Sequence, residues 1–298
     1  MKPFLPLAAA SLLATSLVHA AAPGPGGPPP GIDMNAINTV LPLEGAPKAI
    51  PGPYATARGP AFGKTDLKIY HPTDPSKFPK KDTLPVVVWG NGGCAMENAR
   101  VTGFFETVAS HGFLVVTTTA APGVRGQATA ATLKSAIDWA EAENKRDGSP
   151  LKGKIATDKV AVMGQSCGGM LSVELGADPR VDTIGVFNSG ARGDMNALVG
   201  ALHGPVLLIN GGERDPLMGM SHDTFNASNK LPTFYGSRHG AGHTATMEHP
   251  GGGEWANVAW NWAEWQLKGD KQAKKMFVGK NCGLCTNENW DVEQKNLK

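Results

Sequence analysis

The sequence predicts an α/β fold in which a mostly parallel central sheet carries helices on both faces. Short apolar runs rich in β-branched residues alternate with longer amphipathic segments along the chain. Several of these runs are apolar at every position, which is typical of parallel strands covered by helices on both sides. No second Pro/Gly-rich linker interrupts the chain after its N-terminal part, and 298 residues fit one such unit.

The predicted strands are short and bounded by Gly, Pro or polar residues. Residues 85–89 (PVVVW) and 113–119 (FLVVTTT) are the clearest examples of strands buried on both faces. Residues 159–163 (KVAVM) run directly into Gly-rich sequence. The remaining predicted strands are residues 67–70, 183–187, 205–209 and 233–235.

Four helices are predicted between these strands. The helix over residues 128–146 places Leu133, Ile137 and Ala140 on one face, as an amphipathic helix requires. The others are residues 104–110, a helix that follows Gly164 and ends near Gly176, and residues 254–267. The last contains four tryptophans, and packing against the sheet is favoured over a substrate platform, because such a helix needs bulky apolar cover. They are Trp255, Trp260, Trp262 and Trp265.

The N-terminus is typical of a secretory signal peptide. Lys2 precedes an apolar run over residues 4–18, and cleavage is expected after Ala20. A membrane anchor is disfavoured because the run is shorter than about 20 residues and contains Pro6. We therefore expect residues 1–20 to be removed and the protein to be secreted or periplasmic.

The rest of the chain is predicted to have a simple organisation. Residues 21–40 form a flexible Pro/Gly-rich leader, and residues 41–298 form one catalytic domain with a C-terminal tail. The 28 Lys and Arg residues are interspersed with 26 Asp and Glu residues. Nucleic acid is not expected as a partner, because its phosphates require concentrated positive charge. Stable membrane insertion is not expected either. The oligomeric state is open, with a monomer favoured.

Residues 164–168 read Gly-Gln-Ser-Cys-Gly, a G-x-S-x-G pattern between a predicted strand and a predicted helix. This context is typical of a nucleophile elbow. Gly164 and Gly168 suit a sharp turn because side chains there would collide with the neighbouring strand and helix. The helix also points its N-terminal N–H groups at the turn, where negative charge would develop. Ser166 is therefore the candidate nucleophile.

Four stretches of the chain resemble α/β-hydrolases, near the dienelactone hydrolase and cutinase-like polyester hydrolase branch. They are residues 86–93 (VVVWGNGG), 109–116 (ASHGFLVV), 154–169 and 204–215 (GPVLLINGGERD). The resemblance implies the α/β-hydrolase fold. It also implies an acid on the loop after the strand at residues 205–209 and a histidine on the loop after the last strand, in the chain order nucleophile, acid, base.

Asp215 stands at the position that the resemblance gives to the acid. Two alternatives remain open, Glu213 and Asp223, and Asp215 could instead be a turn residue before Pro216. Asp215 is favoured because it comes directly after the strand.

His243 is the favoured base, with His239 and His249 as alternatives. The preceding Gly-Ala-Gly (residues 240–242) permits a loop that approaches its neighbours closely. The same residues disfavour a metal site built from His239 and His243, which would need a helix to align the two rings. No metal and no organic cofactor are expected.

The oxyanion of an acyl-transfer intermediate needs two N–H donors. The resemblance implies Cys167, directly after the nucleophile, and a residue on the loop after Trp89, with Gly93 favoured and Cys94 next. Family members often carry His-Gly where this chain has Asn91-Gly92. The nucleophile is also flanked here by polar or small residues instead of an aromatic residue and Met. The expected substrate contacts are Trp89, Asn91 and Gln165.

The four cysteines form two pairs. Cys282 and Cys285 predict a local disulfide in an exported protein, because a single C-x-x-C is weak evidence for zinc or for a redox centre. Cys94 and Cys167 lie on the two loops of the expected oxyanion hole and could approach bonding distance. Two free buried thiols are the slightly favoured interpretation. Cys167 is disfavoured as a nucleophile because it is out of register with the paired glycines.

These features predict a secreted serine esterase, lipase-like or cutinase-like, that cleaves carboxylic esters through an acyl-enzyme. Only residues 188–204 are available for a cap, so an open cleft without a large cap domain is expected. Such a cleft suits bulky or polymeric esters. The alternatives are an amidase or peptidase with the same triad, and a non-catalytic exported binding protein on a hydrolase scaffold.

Overall fold

The computed structural model describes residue 43 and residues 45–74, 83–120 and 126–298. The predicted signal peptide and the whole of the predicted leader lie outside these residues. Nine strands form one sheet in the order β1-β2-β4-β3-β5-β6-β7-β8-β9. Strands β3 to β8 are parallel to one another, and the two edges are antiparallel. The predicted α/β class is confirmed.

The strands are β1 (Thr56–Pro60), β2 (Leu67–Pro72), β3 (Leu84–Gly90), β4 (Leu114–Thr118), β5 (Ile155–Gln165), β6 (Thr183–Phe187), β7 (Val206–Asn210), β8 (Thr233–Arg238) and β9 (Trp290–Lys295). The helices are α1 (Thr102–Ser110), α2 (Ala130–Glu143), α3 (Cys167–Leu175), α4 (Met195–Gly200), α5 (Met218–Ala227), α6 (Gly253–Lys268) and α7 (Lys271–Lys274).

All seven predicted strands and all four predicted helices are present, with ends that differ by a few residues. Strands β1 and β9 and helices α4, α5 and α7 were not predicted. Both strands lie at the edges of the sheet and carry polar or exposed residues, so neither has the apolar run of a buried strand. Helix α5 (MGMSHDTFNA) has only a weak apolar stripe.

Two hydrophobic clusters cover the two faces of the sheet. Val86 and Val88 of β3 face the cluster under α2 and α3, whereas Val87 and Trp89 face the cluster under α1 and α6. Successive side chains of a strand point to opposite faces, so Trp89 follows Val87 into this second core.

The prediction that Trp89 lines the active site is therefore wrong. Its side chain is 1% exposed. The ring centroid lies 4.7 Å from that of Phe104, 5.7 Å from that of Phe105 and 5.7 Å from that of Phe187. Trp89 is a core residue. The alternation of side chains along the strand decides which face of the sheet Trp89 points to, and its nearness to the strand end does not.

Helix α6 packs its tryptophans as the sequence predicted. Trp255 and Trp262 are fully buried, and Trp262 Nε1 donates to Thr183 Oγ1 at 2.9 Å. Trp260 and Trp265 are half-buried and stack on His111 and on Phe277, respectively. Among the described residues, no helix combines the length and the apolar character needed to cross a membrane.

The C-terminal tail is attached to the end of β8 through a buried ion pair. Arg238 Nε donates to Glu254 Oε2 at 2.9 Å, and Trp290 Nε1 donates to Glu254 Oε1 at 2.9 Å. Cys282 and Cys285 are bonded, as predicted. Strand β8 therefore leads into its following loop from a position fixed by both α6 and β9.

The first turn of α3 packs directly on the end of β3, and this contact yields a stability prediction. A Cβ added at Gly168 would lie 2.0 Å from the carbonyl oxygen of Gly90. We expect Gly168→Ala to lower the free energy of unfolding by about 3 kcal/mol, because backbone atoms must move apart. Urea denaturation followed by circular dichroism measures this change.

The matched control is Gly219→Ala, which changes the second residue of α5 as Gly168→Ala changes the second residue of α3. A Cβ at Gly219 meets no atom within 4 Å. The control is expected to leave stability unchanged or to raise it by up to about 1 kcal/mol, from helix propensity. Equal effects of the two substitutions would contradict the close contact.

Candidate active site

Ser166 lies on a strained turn between β5 and α3. Its φ of 54° and ψ of −123° are unusual for a residue with a side chain. A Cβ at Gly164 would lie 2.3 Å from the carbonyl oxygen of Gly168, so both positions require glycine. The amide of Ser166 donates to the carbonyl oxygen of Phe187 at 2.9 Å. The turn thus presents Ser166 at the C-terminal end of β5 with its side chain half-buried.

The loops after β7 and β8 bring Asp215 and His243 together. His243 Nδ1 lies 2.8 Å from Asp215 Oδ1. The His243 residue is 1% exposed and Asp215 is 4% exposed. The two loops are in close contact, since a Cβ at Gly211 would lie 1.8 Å from the carbonyl oxygen of Gly242. This contact is the close loop approach that the sequence predicted.

The carboxylate of Asp215 is well supplied with hydrogen bonds. It accepts from the amides of Leu217 at 3.0 Å and Gly211 at 3.2 Å, and from Asn188 Nδ2 at 2.8 Å. Burial would raise the pKa of Asp215, but the hydrogen bonds from His243, Leu217 and Asn188 and the charge interaction with His243 hold it below its usual value.

The charged carboxylate fixes the tautomer of the histidine. A charged Asp215 only accepts hydrogen bonds, so His243 Nδ1 carries a proton and donates it. In the neutral ring, Nε2 then holds a lone pair. Within the described part of the chain, this buried nitrogen has no hydrogen-bond partner. The arrangement can accept a proton at Nε2.

Asn188 is a component of this site that the sequence reasoning missed. Its Nδ2 donates to Asp215 Oδ2 and, at 3.1 Å, to the carbonyl oxygen of Gly242, and its Oδ1 accepts from Trp255 Nε1 at 3.0 Å. The residue is fully buried with a φ of 50°. An Asn directly after a predicted strand was the available signal, because Asn tolerates this backbone conformation better than most residues.

The alternative acids and bases lie elsewhere. Glu213 and Asp223 are exposed. His239 pairs with Asp291 at the surface, at 2.9 Å. His249 is half-buried and precedes the short turn Pro250–Gly252. The structure therefore brings the favoured residues together and leaves the alternatives apart.

The turn Gly92–Cys94 after β3 faces Ser166. A Cβ at Gly92 would lie 3.8 Å from Ser166 Cβ, and Gly93 adopts a φ of 64° that suits glycine. Cys167 is the first residue of α3, so its N–H has no acceptor within that helix. Both segments that were predicted to supply oxyanion donors are thus adjacent to Ser166.

A family model described as PETase, PET hydrolase-like, matches residues 42–246, more than two thirds of the chain. The chain belongs to the PETase family. This membership confirms the predicted resemblance and identifies the protein, at a coarse level, as an ester hydrolase. No match is found among curated proteins.

Two predicted substrate contacts of this PETase-family protein have different surroundings. Asn91 is 1% exposed, and its Nδ2 donates to the carbonyl oxygen of Ala95 at 3.1 Å and to Thr118 Oγ1 at 3.2 Å. It holds the loop from inside, and its contact with substrate stays a prediction. Gln165 is half-buried, and its Nε2 donates to the carbonyl oxygen of His243 at 3.0 Å. Its contact with substrate stays a prediction.

The structure bonds Cys94 to Cys167, so the favoured interpretation of two free thiols is wrong. The reason is the contact between Gly90 and Gly168, which holds the turn after β3 against the start of α3. The two Cα atoms of the cysteines are therefore only 5.1 Å apart, within the range of ordinary disulfides.

A cavity of about 440 Å³ in this PETase-family protein is lined by Cys167, the residue that follows Ser166. Both bonded cysteines line it, together with Met170 and Leu171 of α3 and Ala130 at the start of α2. Glu174 and Arg192 add charge at its walls. The remaining lining residues are Gln127, Ala128, Thr129 and Gly193.

The low pKa of Asp215 leads to a prediction about stability. The stability that the charged carboxylate provides is fully present above its unfolded pKa of about 3.9 and is lost as the pH falls through the lower folded pKa. We expect Asp215→Asn to lower the free energy of unfolding by about 2 kcal/mol at pH 7. The difference from the parent should shrink below about pH 4.

Urea denaturation at several pH values between 3 and 7 measures this difference. The matched control is Asp223→Asn, because Asp223 is exposed on α5 and its substitution should have little effect at any pH. A difference for Asp215→Asn that stays constant down to pH 3 would contradict the stabilised carboxylate.

Proposed function

We propose that the chain is a secreted serine ester hydrolase that cleaves carboxylic esters through an acyl-enzyme on Ser166. The observation that carries this proposal is the buried Asp215–His243 pair, whose Nε2 is left without a partner among the described residues. Gln165, the residue before Ser166 on its strained strand-to-helix turn, holds the His243 loop by donating to the carbonyl oxygen of His243. A hydrolytic nucleophile needs such a base, and the base needs an orienting acid.

The proposed reaction follows from these positions. His243 Nε2 accepts the proton of Ser166 as its Oγ attacks the ester carbonyl carbon, and Asp215 stabilises the imidazolium. The N–H groups of Cys167 and Gly93 stabilise the oxyanion. The imidazolium then protonates the leaving alcohol, and a water molecule activated by His243 hydrolyses the acyl-enzyme.

The proposed substrates are bulky or polymeric esters, with polyesters of the PET type as the family's description suggests. The connection between β6 and β7 contains only the six-residue helix α4. A cleft with so short a cap suits polymeric substrates that extend beyond the site. The apolar part of the cavity beside Cys167 would take one half of the ester, and its charged walls favour a substrate with polar groups beyond that half.

Secretion is part of the proposal. Two disulfides are typical of proteins that fold in an oxidising compartment. The predicted signal peptide at residues 1–20 would deliver the chain to that compartment.

Replacement of the nucleophile tests the proposed function. Hydrolysis of p-nitrophenyl esters, from acetate to long acyl chains, should fall by roughly 10⁴-fold or more in Ser166→Ala. Labelling by a fluorophosphonate, which requires an activated serine, should disappear in the same variant. The measurements are the initial rate and the mass of the labelled protein.

Ser135→Ala on α2 serves as the control, because Ser135 Oγ donates within its own helix, to the carbonyl oxygen of Thr132. It should retain both activity and labelling. Labelling without ester hydrolysis would favour the amidase or peptidase alternative. The absence of both in the parent protein would favour the binding-protein alternative.

The role of the cavity gives a second prediction. Ala130 lines the cavity, whereas its neighbour Ala131 is exposed on the same helix. We expect Ala130→Leu to lower kcat/KM for octanoate esters by roughly 10-fold, which corresponds to about 1.4 kcal/mol, and to leave acetate esters nearly unchanged.

The control, Ala131→Leu, should change neither substrate. The comparison uses kcat/KM for the p-nitrophenyl acetate and octanoate of all three proteins. An equal loss for short and long acyl chains in Ala130→Leu would show that the cavity does not receive the acyl group.

A further inference from the structure

The Cys94–Cys167 disulfide lies within one residue of both proposed oxyanion donors. Cys94 directly follows Gly93 in the turn Gly92–Cys94, and Cys167 carries the other donor on its own backbone. The sulfur bond therefore joins the two segments whose separation must match the transition state. The second disulfide, between Cys282 and Cys285, closes a short loop in the C-terminal tail and joins no part of the site.

The hydrogen bonds that hold the turn from outside lead away from Ser166. The amide of Ala128 donates to the carbonyl oxygen of Cys94 at 2.7 Å. Asn91 Nδ2 and, at 3.3 Å, Thr118 Oγ1 donate to the carbonyl oxygen of Ala95. These bonds attach the turn to β4 and to the segment before α2. The disulfide adds a covalent link between the turn itself and α3, beyond the backbone contact of Gly90 with Gly168 just before the turn.

The backbone of the turn is strained at the cysteine that makes this link. Cys94 adopts a φ of 51°, a conformation that residues with side chains disfavour. Such conformations persist where the surroundings enforce them. Without the sulfur bond, Cys94 can return to an ordinary conformation, and the turn that carries the Gly93 and Cys94 amides would shift relative to Ser166.

We propose that the Cys94–Cys167 disulfide is a positioning element of catalysis, which holds the two oxyanion donors at the separation that the transition state requires. This inference rests on the proposed function. The oxidised protein is the fast form. The reduced protein binds its ester as before but stabilises the oxyanion less well.

The expected effect is on kcat. The oxyanion forms only after nucleophilic attack, so a displaced donor weakens the transition state more than the bound ester. Loss of an entire donor costs roughly 10²- to 10³-fold in kcat. A displaced donor should cost less, and we expect a fall of roughly 10- to 100-fold with KM changed by less than about 3-fold.

The disulfide can be reduced in the parent protein. Both cysteines line the cavity beside the nucleophile, which gives a small dithiol a route to the bond. Dithiothreitol supplies two electrons and two protons: the Sγ–Sγ bond breaks, two thiols form, and the reagent becomes its cyclic disulfide. Alkylation followed by peptide mass measurement reports the state of each cysteine.

The test compares four proteins on p-nitrophenyl butyrate, well below their melting temperatures. They are the oxidised parent, the reduced parent, Cys94→Ala/Cys167→Ala and the control Cys282→Ala/Cys285→Ala. The reduced parent and the first variant should show the predicted loss in kcat, and reoxidation should restore the parent. The control variant should match the oxidised parent and should lose activity on reduction as the parent does.

A transition-state analogue separates positioning from general stability. An aryl trifluoromethyl ketone forms a tetrahedral adduct with an activated serine and places an oxyanion in the same hole. Its inhibition constant should rise by the same factor as kcat/KM falls. Removing a merely stabilising disulfide would lower Tm and leave both quantities unchanged in the folded protein.

Three results would overturn the proposal: an unchanged kcat in the reduced parent, an unchanged affinity for the ketone, or a loss of activity that coincides with loss of the folded circular dichroism spectrum. If the double variant does not fold, the reduced parent decides. Failure of the proposed function is distinct, because it shows first in the oxidised parent, as absent ester hydrolysis or as activity retained in Ser166→Ala.

Discussion

The close approach of α3 to the end of β3 is the constraint on which the site depends. Gly168 lies so near Gly90 that no side chain fits at either position. This contact fixes the first turn of α3, keeps Ser166 on its strained turn and sets the amide of Cys167 beside it. Because β3 ends against the first turn of α3, the turn that follows β3 lies beside that helix end as well. One backbone contact thus places Ser166 and the amide of Cys167, and it brings the turn that carries Gly93 to the same helix end.

The parallel strands deliver the remaining groups to the same edge of the sheet. Asn188, Asp215 and His243 follow β6, β7 and β8, whose carboxyl ends are adjacent. A buried carboxylate is costly unless it is paired and hydrogen-bonded. Asp215 meets this condition through two backbone amides, Asn188 and His243. The same contacts that make its burial tolerable also orient the imidazole.

The sequence was sufficient where the decisive signal is local. Buried strands, the glycines around Ser166, and the acid and histidine after successive strands are short patterns. The errors concern the direction of a side chain on its strand and contacts between distant segments. Trp89 was assigned by its nearness to a strand end, whereas the alternation of the sheet decides its environment. The role of Asn188 depends on partners from two loops and α6. Strands β1 and β9 become evident only from their pairing with β2 and β8, because their own residues are largely polar or exposed.

The Cys94–Cys167 bond is also a contact between distant segments, since its cysteines are 73 residues apart. Closing so long a loop stabilises a protein by about 4 kcal/mol in the chain-entropy description, wherever the loop lies. Stability alone therefore gives no reason for its place beside the nucleophile. At that place the bond also sets the geometry of the donors. If the chain is exported, its thiols are reduced before export and bonded afterwards. The transition-state geometry would then be completed only in the compartment where the enzyme meets its substrate.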